Sequence, residues 1–430
     1  MNLQTYVETQ FATFDELPFN ELDAAVFTQL AMVRVELAAT AYSLADLRED
    51  GLLVSGAQGG HPCLTLRDLL CAEHLEVLPT GLAADNVRQC LIAAAMSPRY
   101  RSVTITGYQT VFDPIREVQF SATTFSCPQF TFVGLRGTDA SLTGWHEDFN
   151  LSFMNPIPGQ QLALDYVCNC LAQNPAKPLY VGGHSKGGNL AEYVLLVNPQ
   201  LSHEVEAFYS FDGPGFKKDA FTSQQFAAAA PHFRKLVPQD SIIGMILDSE
   251  SAFSVVESVE LGFMQHDLFS WEVEGDAFVR REGLTPASQT IDIATRDWIH
   301  SYTDEELSSF VNALFQAAYS SGAFDLTTLF GGGAQSVLYL QAAASSVDDQ
   351  QAQVLRRFAS ELADALGSTV KEQANDALKS ARDQMIDQVE AARDQVIDQV
   401  ESARDQMLDR VEGKLREARQ RIASRGERLP

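Results

Sequence analysis

The residues with the clearest chemical potential are five in succession, Gly183-His184-Ser185-Lys186-Gly187, which fit the pattern Gly-x-Ser-x-Gly. In this pattern a serine stands on a sharp turn between a strand and a helix, and small neighbours let the backbone pass closely. The flanking sequence suits both elements, because "PLYVGG" is a short apolar run and "GGNLAEYVLL" has apolar residues at helical spacing. The pattern predicts that Ser185 is a nucleophile for acyl transfer.

An upstream segment offers groups that could stabilise the oxyanion formed in such a reaction. "FTFVGLRGT" is a predicted strand that ends in Arg136-Gly137-Thr138. In the α/β-hydrolase fold, one oxyanion donor is the backbone N–H after the nucleophile, and another comes from an earlier strand-to-helix loop. We therefore expect Lys186 to donate through its backbone and Thr138 to supply the second donor. A plain Gly-Thr turn is the structural alternative.

These segments resemble the signature of the class 3 (fungal-type) lipases. The strand ends in Arg136-Gly137-Thr138, Trp145 and Asp148 follow, and the elbow continues as Gly-His-Ser-x-Gly-Gly. The resemblance implies an α/β-hydrolase fold and an Arg136–Asp148 ion pair that braces the oxyanion loop. Over roughly residues 1–320 the chain is also similar to a bacterial family of lipase-like proteins known as a domain of unknown function. "LPFNELDAAVFTQL", "GGHSKGGNLAEYV" and "GFMQHDLFSWEVE" carry that second resemblance.

The remaining members of a Ser-His-acid triad must follow the nucleophile, because this fold uses the order serine, acid, histidine. His266 follows a predicted apolar strand, "SVELGFM", in a short loop, and it coincides with the "MQHD" of the bacterial family. We expect His266 to be the base. Asp240, in "RKLVPQD", resembles the lipase segment in which the catalytic aspartate ends a strand, and it is the predicted acid. Asp212, in "YSFDGPGF", is the alternative acid.

The predicted activity is carboxylic ester hydrolysis, lipase-like or esterase-like, on a lipid or another acyl ester. It would proceed through an acyl-enzyme and would require no metal or organic cofactor. Transacylation and thioester hydrolysis share that intermediate and stay open. The alternative from another class is a catalytically silent hydrolase-fold protein that acts as an interaction or membrane-associated module through its C-terminal helix.

Predicted strands lie in "SVTITGYQTVFD", "REVQFSATTFS", "QFTFVGLRGT", "PLYVGG" and "EVEAFYSFDGPGF". Predicted helices lie in "FNELDAAVFTQLAMVRVE", "LRDLLCAEHLEVLP", "DNVRQCLIAAAM", "PGQQLALDYVCNCLAQ" and "HSKGGNLAEYVLLVN", and "FGGGAQ" is a predicted linker. The alternation of strands and helices favours an α/β-hydrolase fold with a mixed, mostly parallel sheet. Residues 1–100 form a predicted helical N-terminal segment packed on or capping the hydrolase, and residues 101–300 form the hydrolase core. Residues 301–345 form a predicted helical segment and linker, in which Thr303 and Glu306 have the spacing of a capping box. Residues 346–430 form a predicted amphipathic C-terminal helix.

The C-terminal helix is built from repeats. "ARDQMIDQVEA", "ARDQVIDQVES" and "ARDQMLDRVEG" follow one another with a period of eleven, and a degraded copy follows them. An eleven-residue apolar repeat favours a slowly winding, right-handed coiled coil. We expect the helix to self-associate into a homo-oligomer. Peripheral membrane contact through the basic final segment is less favoured, because the first repeats are acidic.

The composition excludes some partners. The formal net charge is −26, from 31 basic and 57 acidic residues among 430, so nucleic acid is not an expected partner. Six cysteines match no metal-binding spacing and are too few for a disulfide scaffold. The first residues, "MNLQTYVETQ", lack the charged and apolar regions of a signal peptide. We expect a cytoplasmic protein with reduced thiols.

Overall fold

The computed structural model describes residues 1–37, 53–56, 64–72, 74–173, 177–320, 322, 351, 353–357 and 361. All of them lie within the compact unit Met1–Gly367. The predicted linker at "FGGGAQ" and the eleven-residue repeats lie outside the described residues.

A ten-stranded mixed sheet organises the described part of the chain. Its strands are β1 (Leu53–Gly56), β2 (Leu64–Thr65), β3 (Thr104–Asp113), β4 (Val118–Ser126), β5 (Thr131–Leu135), β6 (Leu179–His184), β7 (Ala207–Phe211), β8 (Phe233–Pro238), β9 (Phe253–Val256) and β12 (Arg280–Arg281). They are ordered β1-β3-β4-β5-β6-β7-β8-β9-β12, and β2 also pairs with β3. Strands β5 to β9 run parallel to one another, whereas β1 to β4 and β12 are antiparallel to their neighbours. Strands β10 (Val273–Glu274) and β11 (Ala277–Phe278) form a separate hairpin.

Helices cover both faces of this sheet. They are α1 (Leu3–Thr9), α2 (Glu21–Leu30), α3 (Ala84–Met96), α4 (Leu142–Asn150), α5 (Pro158–Gln173), α6 (Lys186–Val197), α7 (Ser223–Ala229), α8 (Pro286–His300) and α9 (Asp304–Ser320). The apolar side chains of α1 to α3 form one core with Phe132 of β5, and those of α5 to α7 form a second core with Val133. Successive strand residues point to opposite faces, so a central parallel strand must be apolar on both.

The fold is therefore an α/β-hydrolase fold with a mixed sheet and helical additions, as the sequence predicts. Each predicted core strand from "SVTITGYQTVFD" to "EVEAFYSFDGPGF" is present, and the predicted helices at α2, α3, α5 and α6 form. Glu306 Oε2 accepts from the backbone N–H of Thr303 at 3.0 Å, and the Thr303 hydroxyl accepts from the N–H of Glu306 at 3.2 Å. The predicted capping box thus opens α9.

Two local expectations are wrong. "LRDLLCAEHLEVLP" forms a short 3₁₀ turn, Leu66–Leu69, and further turns instead of an amphipathic helix. Within this stretch Leu66 and Leu78 are both buried. Short turns are enough to bury these side chains, so a long helix is not needed. "SVELGFM" is not a strand, because β9 ends at Val256 and a 3₁₀ turn, Gly262–His266, carries the histidine. The segment 1–100 also contributes β1 and β2 to the sheet.

Candidate active site

Ser185 occupies a strained turn between β6 and α6. Its φ of 56° and ψ of −128° lie outside the regions that residues with a Cβ normally adopt. A Cβ on Gly183 would lie 2.1 Å from the carbonyl carbon of Gly187, and one on Gly187 would lie 2.1 Å from the oxygen of Leu135. The backbone N–H of Ser185 donates to the oxygen of Phe211 on β7 at 3.0 Å. Neighbouring strands thus hold the serine in the conformation of a nucleophile elbow.

His266 and Asp212 form a hydrogen-bonded pair near this turn. The Nδ1 of His266 lies 2.7 Å from Oδ2 of Asp212, which follows directly after β7 and is fully buried. The other oxygen of Asp212 accepts from the Ser241 hydroxyl at 2.5 Å and from the Gly244 N–H at 3.1 Å. Three donors thus fix the carboxylate, and the carboxylate fixes the imidazole ring.

Asp240, the predicted acid, lies one strand further along and forms no hydrogen bond with His266. Its Oδ2 accepts from Nε2 of Gln265 at 2.9 Å, and its backbone N–H donates to Oε1 of the same side chain at 2.9 Å. Its Oδ1 accepts from the Thr285 hydroxyl at 2.5 Å. Asp240 therefore anchors the turn that carries the histidine. The geometry favours Asp212, the alternative acid, as the partner of His266.

His184 is a second imidazole against His266 that the sequence did not single out. Its Nε2 lies 2.7 Å from the backbone oxygen of His266, and the two ring centroids are 4.4 Å apart. Burial, reinforced by the neighbouring His266, lowers the pKa of His184 well below its ordinary value. His184 is therefore neutral near pH 7, and its Nε2–H donates to the His266 carbonyl.

The predicted oxyanion loop lies directly beside the elbow. A Cβ on Gly137 would lie 2.6 Å from the oxygen of His184 and 3.6 Å from the Cβ of Ser185, so only glycine permits this approach. Thr138 follows, and its hydroxyl donates to Oδ2 of Asp148. Burial raises the pKa of Asp148 to about 6, although Lys186 and the Thr138 hydroxyl offset part of that effect.

Lys186 has a second role through its side chain. Its buried ammonium donates to the backbone oxygen and to Oε1 of Gln119, both at 2.8 Å, and to Oε2 of Glu147 at 2.9 Å. Burial alone would lower the pKa of Lys186, but Glu147 and Asp148 outweigh it and raise the value. The backbone N–H of Lys186 belongs to the first turn of α6, where N–H groups lack partners within the helix. This N–H remains the expected oxyanion donor.

Arg136 does not pair with Asp148, contrary to the expectation from the lipase resemblance. Its guanidinium donates to the oxygens of Ala31 at 2.9 Å and Val33 at 2.6 Å, and it lies 3.4 Å from Glu36. Asp148 instead accepts a hydrogen bond from the Thr138 hydroxyl. The reason is that carbonyl groups just after the end of α2 lie in the core and accept hydrogen bonds from the buried guanidinium.

Ser185 and His266 line one cavity of about 710 Å³. The walls are largely apolar. The apolar side chains come from α4 and the residue after it, from α8 and α9, and from the segment 243–247: Trp145, Phe149, Leu151, Ile243, Ile246, Leu247, Trp298, Ile299, Leu307, Phe310 and Val311. Among the described residues, no hydrogen bond joins the hydroxyl of Ser185 to His266. In hydrolases without substrate this contact is often long and tightens on binding.

Within the described part of the chain, no group of three or more His, Cys, Asp or Glu residues could hold a metal ion. Cys90, Cys127 and Cys168 form no disulfide bond in the part of the chain that the structure describes. None of the helices described is both long enough and apolar enough to cross a bilayer.

The fold and the elbow define a lipase-like α/β-hydrolase. The chain belongs to the Mbeg1-like family, which matches residues 94–316. No curated protein matches the sequence.

Similar solved structures include a triacylglycerol lipase whose catalytic centre is described as a serine protease triad. It is 18% identical, covers 40% of this chain and 70% of its own, and has a TM-score of 0.29. A lipase from Rhizopus microsporus var. chinensis is 16% identical over 47% and 72% of the two chains, with a TM-score of 0.29. The Lip2 lipase of Yarrowia lipolytica is 12% identical over 46% and 76%, with a TM-score of 0.30. Similarity this low decides nothing about activity.

Proposed function

We propose that this protein hydrolyses carboxylic esters through a triad of Ser185, His266 and Asp212. The observation that carries the proposal is the 2.7 Å contact between His266 Nδ1 and the buried Asp212, in the same cavity as a serine at positive φ. A carboxylate on Nδ1 leaves Nε2 of the ring free to accept a proton, which is the tautomer that a general base needs.

In the first half of the reaction, the Ser185 hydroxyl oxygen attacks the ester carbonyl carbon and His266 takes the hydroxyl proton. The resulting oxyanion accepts from the backbone N–H groups of Thr138 and Lys186. The C–O bond to the alcohol then breaks, and His266 returns the proton to the departing oxygen. In the second half, water attacks the acyl-enzyme by the same route and releases the acid. Each oxyanion donor is worth about 3 kcal/mol of transition-state stabilisation.

The apolar walls of the cavity favour an acyl chain as the bound group. Its volume of about 710 Å³ is within the range of sites for small organic ligands. Each methylene of the acyl chain that becomes buried contributes about 0.8 kcal/mol of binding free energy, which corresponds to a roughly fourfold increase in kcat/KM. A panel of esters of increasing acyl length should therefore show a stepwise rise in kcat/KM that stops when the chain fills the cavity.

The deciding experiment compares Ser185→Ala with Ser202→Ala, a matched serine that bonds the oxygen of Pro199 away from the cavity. Ester hydrolysis and labelling by a fluorophosphonate should both be lost in Ser185→Ala and retained in Ser202→Ala. If the wild-type protein is not labelled and hydrolyses no ester in the panel, the proposal fails and a silent hydrolase-fold module replaces it.

The association of the C-terminal helix and a cytoplasmic location stay predictions. Gel filtration of the full chain and of a chain ending at residue 345 tests the first. A smaller oligomer in the shortened protein supports association through the repeats, and an unchanged state contradicts it.

A further inference from the structure

The cavity around Ser185 has two sides that differ in their exposure to solvent. One side, the open side, is formed by the segment 80–87 and the 3₁₀ turn Gly262–His266, and its lining includes Leu82, Phe263 and Met264, which are 56%, 41% and 61% exposed. The other, the enclosed side, is formed by α8, α9 and the segment 243–247. Among the described residues that line the cavity, none from these three elements is exposed.

The open side adjoins His266. The ring centroid of Phe263 lies 6.0 Å from that of His266, and Met264 belongs to the same turn as the histidine. In the segment 80–87, the side-chain amide of Asn86 donates to Oδ2 of Asp267 at 2.8 Å, so this segment is held against the residue that follows the histidine. A substrate group beside His266 can therefore extend between these exposed residues into solvent.

On the enclosed side, α9 packs on α4, the helix that follows Thr138 of the oxyanion loop. The ring of Phe315 stacks on that of His146, with centroids 4.4 Å apart. Leu307 and Val311 precede Phe315 at intervals of four residues, so the three side chains lie on one face of α9. The first two line the cavity, whereas Phe315 meets α4. This face of α9 therefore runs from the cavity to the helix behind the oxyanion loop.

α8 and the segment 243–247 complete the enclosed side as an apolar surface. Ile246 and Ile299 pack on Leu247 in one buried cluster. The rings of Trp298 and Phe310 meet edge to face, with centroids 6.2 Å apart. All five side chains line the cavity. A hydrocarbon chain bound on this side would exchange water for aliphatic and aromatic groups, which is favourable.

The proposed mechanism fixes the direction in which an ester lies. His266 returns its proton to the departing alcohol oxygen, so the alcohol must lie beside Nε2 of the ring. Nδ1 faces Asp212, whose other oxygen accepts from a backbone N–H of the segment 243–247, so Nε2 points away from that segment. The carbonyl oxygen meets the backbone N–H groups of Thr138 and Lys186. The alcohol thus faces the open side, and the enclosed side is left for the acyl chain.

We propose that the preferred substrates are esters of a linear acid of limited length with an alcohol of unrestricted size. The acyl chain binds beneath α9 on the enclosed side, and the alcohol extends through the open side into solvent. This inference rests on the proposed ester hydrolysis and names its substrate class.

The test compares two soluble esters that differ in which end carries a long methoxypoly(ethylene glycol) chain. In the first ester the polymer is the alcohol of octanoic acid, and in the second it is attached to the last carbon of methyl octanoate. A hydrated polymer of this kind cannot enter a cavity of about 710 Å³. The kcat/KM of the first ester should match that of methyl octanoate. That of the second should be lower by roughly 250-fold, the contribution of about four buried methylenes at fourfold each.

Leu307→Ala and Leu195→Ala form a matched pair that tests the role of α9. Both leucines are buried on helices, but only Leu307 lines the cavity. Across a series of esters from acetyl to palmitoyl, Leu307→Ala should raise kcat/KM by roughly 4- to 16-fold for the first chain that is too long for the wild type, because room for one or two methylenes is gained. Leu195→Ala should keep the wild-type limit. Circular dichroism checks that both variants fold, and the polymer esters test the wild type independently.

Three results would overturn the inference: an acyl-linked polymer ester that is hydrolysed as fast as methyl octanoate, an alcohol-linked polymer ester that is as slow as the acyl-linked one, or a wild-type length limit in folded Leu307→Ala. Ser185→Ala, assayed with methyl octanoate, separates the two proposals. If it keeps wild-type activity, the proposed function fails. If it is inactive while the wild type hydrolyses both polymer esters equally well, the substrate inference alone fails.

Discussion

Asp212→Asn and Asp240→Asn form a matched pair that tests the assignment of the acid. Both replace a carboxylate oxygen by an amide nitrogen at the end of neighbouring parallel strands. In Asp212→Asn, the remaining oxygen can still accept from Ser241 and Gly244, so the amide nitrogen faces His266. That nitrogen donates to Nδ1 and forces the proton onto Nε2, which cannot then act as a base.

The expected loss of kcat in Asp212→Asn is about 10⁴-fold, or roughly 5 kcal/mol at 1.36 kcal/mol per decade. In Asp240→Asn the side chain can accept from Gln265 or Thr285 but not from both. The hydrogen bond that is lost is accepted by a carboxylate in the wild type and is worth about 1.5–3 kcal/mol, which corresponds to at most roughly 10- to 150-fold in kcat. The kcat values of the two variants should therefore differ by about two to three orders of magnitude.

The assay is steady-state hydrolysis of one soluble ester at pH 7, with the free energy of unfolding measured in urea for both variants. A kcat for Asp240→Asn as low as that of Asp212→Asn would refute the reasoning, provided that both proteins fold. So would near wild-type activity in Asp212→Asn, because a serine hydrolase cannot keep its rate with the wrong tautomer of its base.

Three further predictions concern the groups around the elbow. His184→Phe keeps a ring against His266 but removes the donor to its carbonyl, so kcat should fall roughly 5- to 10-fold with little change in KM. Lys186→Met leaves Glu147 buried without its cation and should cost about 3–5 kcal/mol of stability in urea unfolding, while adding Glu147→Gln should restore part of it. The pKa of Asp148 is raised from 3.8 to about 6 on folding, so its contribution to stability falls as pH rises through that window. Between pH 4 and pH 7, the free energy of unfolding of the wild type should fall by roughly 2–3 kcal/mol more than that of Asp148→Asn. Unfolding free energies that change with pH in parallel for the two proteins would contradict this.

The sequence predicts those parts of the site that are set by local geometry. The spacing Gly-x-Ser-x-Gly places Ser185 on a turn because the steric need for glycine acts within a few residues. The Arg136-Gly137-Thr138 loop is recognisable for the same reason: a Cβ on Gly137 would collide with the backbone of the elbow. These local constraints leave a signature in the order of the residues.

The identity of the acid is not a local property. Asp212 and Asp240 each follow a parallel strand, and their strands are neighbours, so both carboxylates reach the same edge of the sheet. Which of the two carboxylates bonds His266 depends on the path of the 3₁₀ turn Gly262–His266, which carries the histidine. That path is held by Gln265, whose side chain bonds Asp240 and whose carbonyl accepts from the indole of Trp271 at 2.7 Å. The glycines of "FDGPGF" were the available signal, because they mark a tight turn directly after Asp212.

The hydrogen-bond partners of Arg136 are another feature that the local sequence pattern does not predict. The local pattern suggests a partner ten or so residues downstream, but the actual partners lie about a hundred residues upstream, at the end of α2. Spacing within a motif does not reveal which distant element packs over it. Likewise, the burial of Lys186 with Glu147 follows from the close fit of α4 against β4, which the sequence pattern does not encode.

The end of α2 also limits which segments of this protein can be exchanged with those of a related protein. Residues 94–316 match the family, yet Gln29 and Met32 line the cavity, and the carbonyls of Ala31 and Val33 hold Arg136 at the oxyanion loop. A chimera joined at residue 94 would inherit the elbow but would replace one wall of its cavity. Conversely, exchanging the segment up to residue 37 between related proteins offers a route to altered substrate preference that leaves the elbow and its histidine untouched.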